Sequence, residues 1–223
     1  MASSDACLND GEDNDWLMKD DVNWSHEGAR AAAFRALLAT GRPVSAAGLA
    51  AGLGTSAAQV QAELEELDRR GQLRLDGEGR VVGSCGLSVV PSRHELQTGG
   101  RRFWTWCAYD AAGILGALRA DGTVRSVSVA TGRPLEVTFR LGSPETDSIV
   151  IVMPDRSGCD NVVEEWCPHV NFVEDEQTAR SWLRSKGQVA EVVPIAAASR
   201  RGAAAWATLI QPGSDSPGSM SSP

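Results

Sequence analysis

Apolar side chains recur at helical spacing three times in the first part of the chain, then switch to the alternation typical of strands. Ala33, Phe34, Leu37 and Leu38 mark a helix over residues 27–39. The segment Gly-Arg-Pro-Val-Ser (41–45) turns into a short helix over 46–51, which Gly52 and Gly54 end. Thr55 or Ser56 caps a third helix over 57–70, with Val60, Leu64 and Leu67 as its apolar stripe and Gly71 as its stop. Residues 73–75 and 81–82 flank a Gly-Glu-Gly turn and predict a β-hairpin. Three helices followed by a hairpin predict a winged-helix-like domain over 25–84.

From Gly86 onward the pattern mixes the two periods. Apolar β-formers cluster or alternate over 86–90, 124–129, 135–139, 148–153 and 169–173, which predicts strands. Residues 111–119 place Ile114, Leu115 and Leu118 on one helical face, and 176–185 and 196–209 are further helix candidates. Without a strict strand–helix–strand alternation, these elements predict an α+β fold. Its second domain, over 85–211, is a mixed and mainly antiparallel sheet with flanking helices. Residues 1–24 are acidic and polar and predict a disordered arm, and the Gly/Ser/Pro-rich residues 212–223 a disordered tail.

Charge sharpens this division. Residues 1–27 hold eight of the 29 acidic side chains and one of the 21 basic ones, so −7 of the net −8 lies there. The remainder is close to neutral, which argues against nucleic acid as a partner, since phosphate neutralisation supplies most of that affinity. No stretch approaches the ~18 apolar residues of a membrane span, and the N-terminus lacks the basic and apolar regions of an export signal. A cytoplasmic setting with reduced thiols is therefore expected. The five cysteines (Cys7, Cys85, Cys107, Cys159 and Cys167) include no Cys-x-x-Cys pair and no disulfide-framework spacing.

Candidate chemistry centres on Trp-Cys-Ala-Tyr-Asp (106–110). Cys107 and Asp110 are spaced i, i+3 at the start of a helix, which puts a thiol and a carboxyl on one face. Free N–H groups and the positive end of the helix dipole favour a thiolate at that position. The same spacing also suits a cysteine packed as a small apolar residue beside a solvated first-turn charge. Cys167 has the default of a buried structural cysteine, and Cys159, Cys167 and His169 match no strong zinc spacing. His26 and His94 lie in polar segments and are expected to be solvated. Trp104, Trp106 and Trp166 flank both cysteines, as pocket walls or as core.

Several motifs, in order, resemble the organomercurial (alkylmercury) lyase family, MerB. They are Gly-Arg-Pro-Val-Ser (41–45), Leu49-Ala50, the hairpin Asp-Gly-Glu-Gly-Arg-Val-Val-Gly (76–83), Trp-Cys-Ala-Tyr-Asp (106–110), Ala-Thr-Gly-Arg-Pro-Leu (130–135) and Cys-Pro-His-Val-Asn-Phe (167–172). The resemblance spans residues 41–211. It implies that Cys107, Cys167 and Asp110 are the catalytic group and transiently hold Hg(II). Pro168 and Ser128 stand where some members carry additional cysteines.

The implied activity is protonolysis of a carbon–mercury bond, giving a hydrocarbon and Hg(II), with no redox cofactor or stored metal. Hg(II) would pass to cellular thiols or a mercuric reductase. The alternative is a thiol-based, metal-sensing winged-helix transcription regulator. Glu63, Glu65, Glu66 and Asp68, against Arg69 and Arg70, make its third helix a poor phosphate reader. A mercury-binding protein without turnover is a third possibility.

Overall fold

The computed structural model describes residues 28–159 and 161–210; the expected arm, the tail and His26 lie outside the described residues. The chain opens with α1 (Ala29–Thr40), which buries Phe34 and Leu37 and ends at Gly41. It continues through α2 (Ala46–Leu53), capped by the Ser45 side chain, and α3 (Ala57–Arg69). Ser56, rather than Thr55, caps α3 in a reciprocal pair with Gln59.

The hairpin β1 (Leu73–Leu75) and β2 (Val81–Ser84) follows. Gly79, at the turn, has φ +74°, a region that suits glycine. These strands are the edge of an eight-stranded sheet. It continues with β3 (Leu87–Ser88), β4 (His94–Thr98), β5 (Arg101–Thr105), β6 (Gly122–Val127), β7 (Pro134–Arg140) and β8 (Ser143–Pro144), in the order β1-β2-β3-β5-β4-β6-β7-β8. Every pairing in it is antiparallel. A three-stranded sheet sets β9 (Val150–Met153) between β10 (Asn171–Val173) and β11 (Glu191–Pro194), also antiparallel. The architecture is α+β, dominated by the large antiparallel sheet.

Helix α4 (Ala108–Leu118) leaves the large sheet directly after β5 and packs against α6 (Ile195–Ile210). Glycines make that approach close: a Cβ on Gly202 would lie 2.5 Å from Cα of Gly113. A continuous apolar core, including Phe34, Leu37, Phe103, Ile114, Leu115, Phe139, Phe172 and Trp206, joins the N-terminal helices, both sheets and α4 and α6. Helix α5 (Glu176–Lys186) covers the small sheet with Ala179 and Leu183 against Val150, Val152 and Val173.

Three expectations need correction. The β4–β5 hairpin and β11 were not anticipated from the apolar pattern. His94 is not solvated: it is 2 % exposed, with Nδ1 2.8 Å from Ser126 Oγ and its ring edge-on to Phe172. Burial, helped by the charge of Arg93, depresses its pKa to about 3. The segment expected as a strand over 169–173 begins only at Asn171, because residues 167–169 form a tight helical turn.

Candidate active site

Cys107 occupies the N-cap of α4 with extended backbone (φ −145°, ψ 173°). Its Sγ accepts a hydrogen bond from the Asp110 N–H at 3.4 Å, and Asp110 Oδ2 accepts one from the Cys107 N–H at 2.9 Å. A cysteine and an aspartate thus take the parts that Ser or Thr and Glu or Gln play in an ordinary capping box. The helix start itself holds thiol and carboxyl one turn apart.

Cys167 comes from the turn that leads into β10 of the small sheet. A wide turn over Val162–Trp166 leads into the tighter turn Cys167–His169, where Pro168 restricts the backbone. The Val170 N–H donates to the Cys167 carbonyl at 3.2 Å, and the Val170 carbonyl accepts from the Ala108 N–H at 3.1 Å. The residue after Cys107 is thereby bonded to Val170, the residue immediately before β10. Both sulfurs and an Asp110 oxygen lie within 4.8 Å of one another. Among the described residues this is the one cluster of three or more His, Cys, Asp or Glu side chains with such convergence.

The cluster is dry. Cys107 is 0 %, Cys167 3 % and Asp110 7 % exposed. Gly86, at φ +84°, presses its backbone on the carboxylate. Burial pushes Asp110 up to about 6, against the lowering effect of its hydrogen bonds with Cys107 and the charges of Arg30 and Arg156. Burial also raises the Cys107 thiol well above its ordinary value, reinforced by hydrogen bonding with Cys167 and by the Asp110 charge. The helix N-terminus, expected to favour a thiolate, contributes one N–H, while desolvation and acidic neighbours act more strongly. The half-buried Arg156 guanidinium has its pKa lowered by burial, and the charges of Cys167 and Asp110 oppose that shift.

The remaining candidates separate from this group. His169 is exposed and Cys159 stands apart from the cluster. Cys85 is a buried free cysteine with φ +50°, outside the convergent group. Trp166 belongs to the core, its indole N–H donating to the Pro154 carbonyl at 2.8 Å, and Trp106 packs against Gly83. Ser128 fixes a turn: its hydroxyl bonds to Glu174 and accepts from the Ala130 and Thr131 N–H groups. Gly86 and Arg156 had no spacing signal in the sequence, since both reach the cluster from loops.

A family model for alkylmercury lyase matches residues 87–208, which include the whole cluster. The chain is 31% identical to an alkylmercury lyase of Streptomyces lividans over 171 residues, covering 74% of this chain and 76% of that protein. It is 30% identical to an alkylmercury lyase of Pseudomonas putida over 163 residues, covering 71% and 74% respectively. Its fold is similar to that of the mercury-bound form of MerB2, with a TM-score of 0.74, 24% identity, and coverage of 88% of this chain and 96% of that one.

Proposed function

The chain belongs to the alkylmercury lyase family, and from that premise we propose that it cleaves the carbon–mercury bond of organomercurials by protonolysis, releasing a hydrocarbon and Hg(II). The observation that carries this reading is the convergence of two buried thiols and one buried carboxyl within 4.8 Å. Mercury is soft and prefers sulfur, while a carboxylate binds it weakly and remains available for proton transfer.

Cys107 enters the cycle as a thiol, because burial raises its pKa. The substrate cation R–Hg⁺ bonds first to Cys107 and displaces its proton to solvent. Cys167 joins as a second sulfur ligand and its proton passes to the Asp110 carboxylate. Two thiolates push electron density through mercury onto the attached carbon. Asp110 then returns the proton to that carbon, R–H leaves, and Hg(II) remains on the cysteine pair with the carboxylate regenerated. Summed over the cycle, R–Hg⁺ and two thiols give R–H, a mercury dithiolate and one proton. An Asp110 pKa of about 6 suits this role, because the group gives and takes a proton near neutrality.

The same reading assigns residues 25–84 to a winged-helix-like module with a structural role and 85–211 to the catalytic domain. On α3, Arg69 and Arg70 both pair with Glu66, at 2.6 and 2.5 Å, which leaves that helix without a surplus of cations for phosphate. No helix among the described residues is long and apolar enough to cross a membrane. We assign a cytoplasmic setting, with Hg(II) passed to cellular thiols or a mercuric reductase. The decisive experiment incubates the protein with methylmercury and excess thiol and measures methane. Methane in proportion to mercury released is the expected result, and mercury binding without methane overturns the enzyme reading.

A further inference from the structure

The two thiols come from different sheets: Cys107 follows β5 of the eight-stranded sheet, and Cys167 precedes β10 of the three-stranded one. Their separation therefore depends on how the sheets are fastened together at this point. One fastener is the backbone bond from Ala108 to Val170. The other is built from side chains that the reaction does not use. Asn171 is 2 % exposed; its Nδ2 donates to the Pro168 carbonyl at 2.8 Å, and its Oδ1 accepts from Arg93 Nη1 at 2.5 Å. Arg93 immediately precedes β4, and the next residue, His94, sets its ring against Phe172, with centroids 5.5 Å apart and planes at 77°. Consecutive residues beside the large sheet thus grip consecutive residues of the small one.

We propose that Asn171, held by Arg93, is a positioning residue for Cys167: its carboxamide fixes the Cys-Pro-His turn so that the second thiol reaches a soft cation already bound to Cys107. This rests on the reading of Cys107 and Cys167 as mercury ligands. A carboxamide suits the position because it offers a donor to the Pro168 carbonyl and an acceptor to the guanidinium at once. Aspartate there keeps the acceptor for Arg93 but meets the Pro168 carbonyl with a second acceptor. Neither Asn171 nor Arg93 belongs to the cluster of reacting groups, so their effect runs through the geometry of Cys167 alone. Placement errors of this kind are costly in rate and affinity.

The test compares wild type with Asn171→Asp, Arg93→Ala and Arg93→Lys in three measurements. These are capture of methylmercury as a protein adduct by mass spectrometry, affinity for mercuric chloride in competition with a small monothiol, and melting temperature. Capture needs only Cys107, and it is expected to proceed at the wild-type rate in every variant. Affinity for Hg(II) needs both sulfurs, and it is expected to fall roughly tenfold to a hundredfold in Asn171→Asp and Arg93→Ala. Arg93→Lys keeps an N–H donor and is expected to recover most of that affinity. Unchanged Hg(II) competition in Asn171→Asp overturns the proposal. So does loss of capture, affinity and melting temperature together, which is the mark of a merely structural residue. A wild type that releases no methane defeats the lyase reading separately, while the Hg(II) competition still decides the positioning role.

Discussion

Gly86 lies directly against Asp110: a Cβ placed on the glycine would sit 2.5 Å from the carboxyl carbon. Its φ of +84° independently disfavours any side chain there. Gly86→Ala must therefore displace the carboxylate or strain the backbone. The expected cost is about 1–3 kcal/mol of stability, together with loss of most turnover, because the proton donor is moved from its bond with the Cys107 N–H. Thermal unfolding and methane release, measured on the same preparation, check both parts. Normal turnover in a stable Gly86→Ala protein would contradict the placement of Asp110 as donor.

Asp110→Asn separates binding from chemistry. The amide keeps the size of the side chain, and its oxygen can still accept from the Cys107 N–H, now at 2.9 Å from Oδ2. What it loses is the ability to take and return a proton. Methylmercury capture is expected to persist while methane release falls by roughly 10²–10⁴-fold. Mass spectrometry of the adduct beside gas detection of product reads the split directly.

Removing either sulfur of the pair tests the two-thiolate step. Cys107→Ala is expected to abolish capture and turnover. Cys167→Ala is expected to leave a one-sulfur adduct that does not proceed to methane. Cys85→Ala serves as the contrast, since Cys85 is buried but outside the convergent group. Its expected effect is a stability loss of about 1 kcal/mol from the lost sulfur volume, with turnover retained. Equal loss of turnover in all three variants would point to general damage rather than to a dedicated pair.

The helices were legible in the sequence because one buried stripe repeats every turn: α1, α3, α5 and α6 begin and end within two residues of their expected bounds. The β4–β5 hairpin was not, although Gly99-Gly100 supplied a turn signal. Its strands carry His94, Gln97, Thr98, Arg101 and Arg102, and polar residues on a half-covered sheet mask the alternation. The burial of His94 has no local signature for a related reason. Its partner Ser126 is 32 residues away, and no local pattern announces a polar group satisfied at that range. Cys107 and Asp110 could be read together because i, i+3 on a helix is a local relation. Cys167, sixty positions on, was legible only through the family resemblance, since sheet-to-sheet contacts leave no period. The raised Cys107 pKa was hidden for the same reason: it follows from burial by distant elements, which outweighs the nearby helix terminus.

The carboxyl of Asp110 should also be visible in the pH dependence of stability. Folding raises its pKa from 3.8 to about 6, so between those values the native state binds more protons than the unfolded one. Its favourable contribution is full below the unfolded value and is lost as pH rises through about 6, a difference of roughly 3 kcal/mol. His94 opposes this trend. Its folded pKa is depressed from 6.5 to about 3, so its contribution is present above 6.5 and is lost as pH falls towards about 3. The two slopes overlap, and the wild-type curve alone would hide both. Comparison with Asp110→Asn removes the histidine from the difference. The variant is expected to gain stability relative to wild type as pH rises from 4 to 7, in urea unfolding measured at fixed ionic strength. A constant difference across that range would mean that the carboxyl is not held in a dry site.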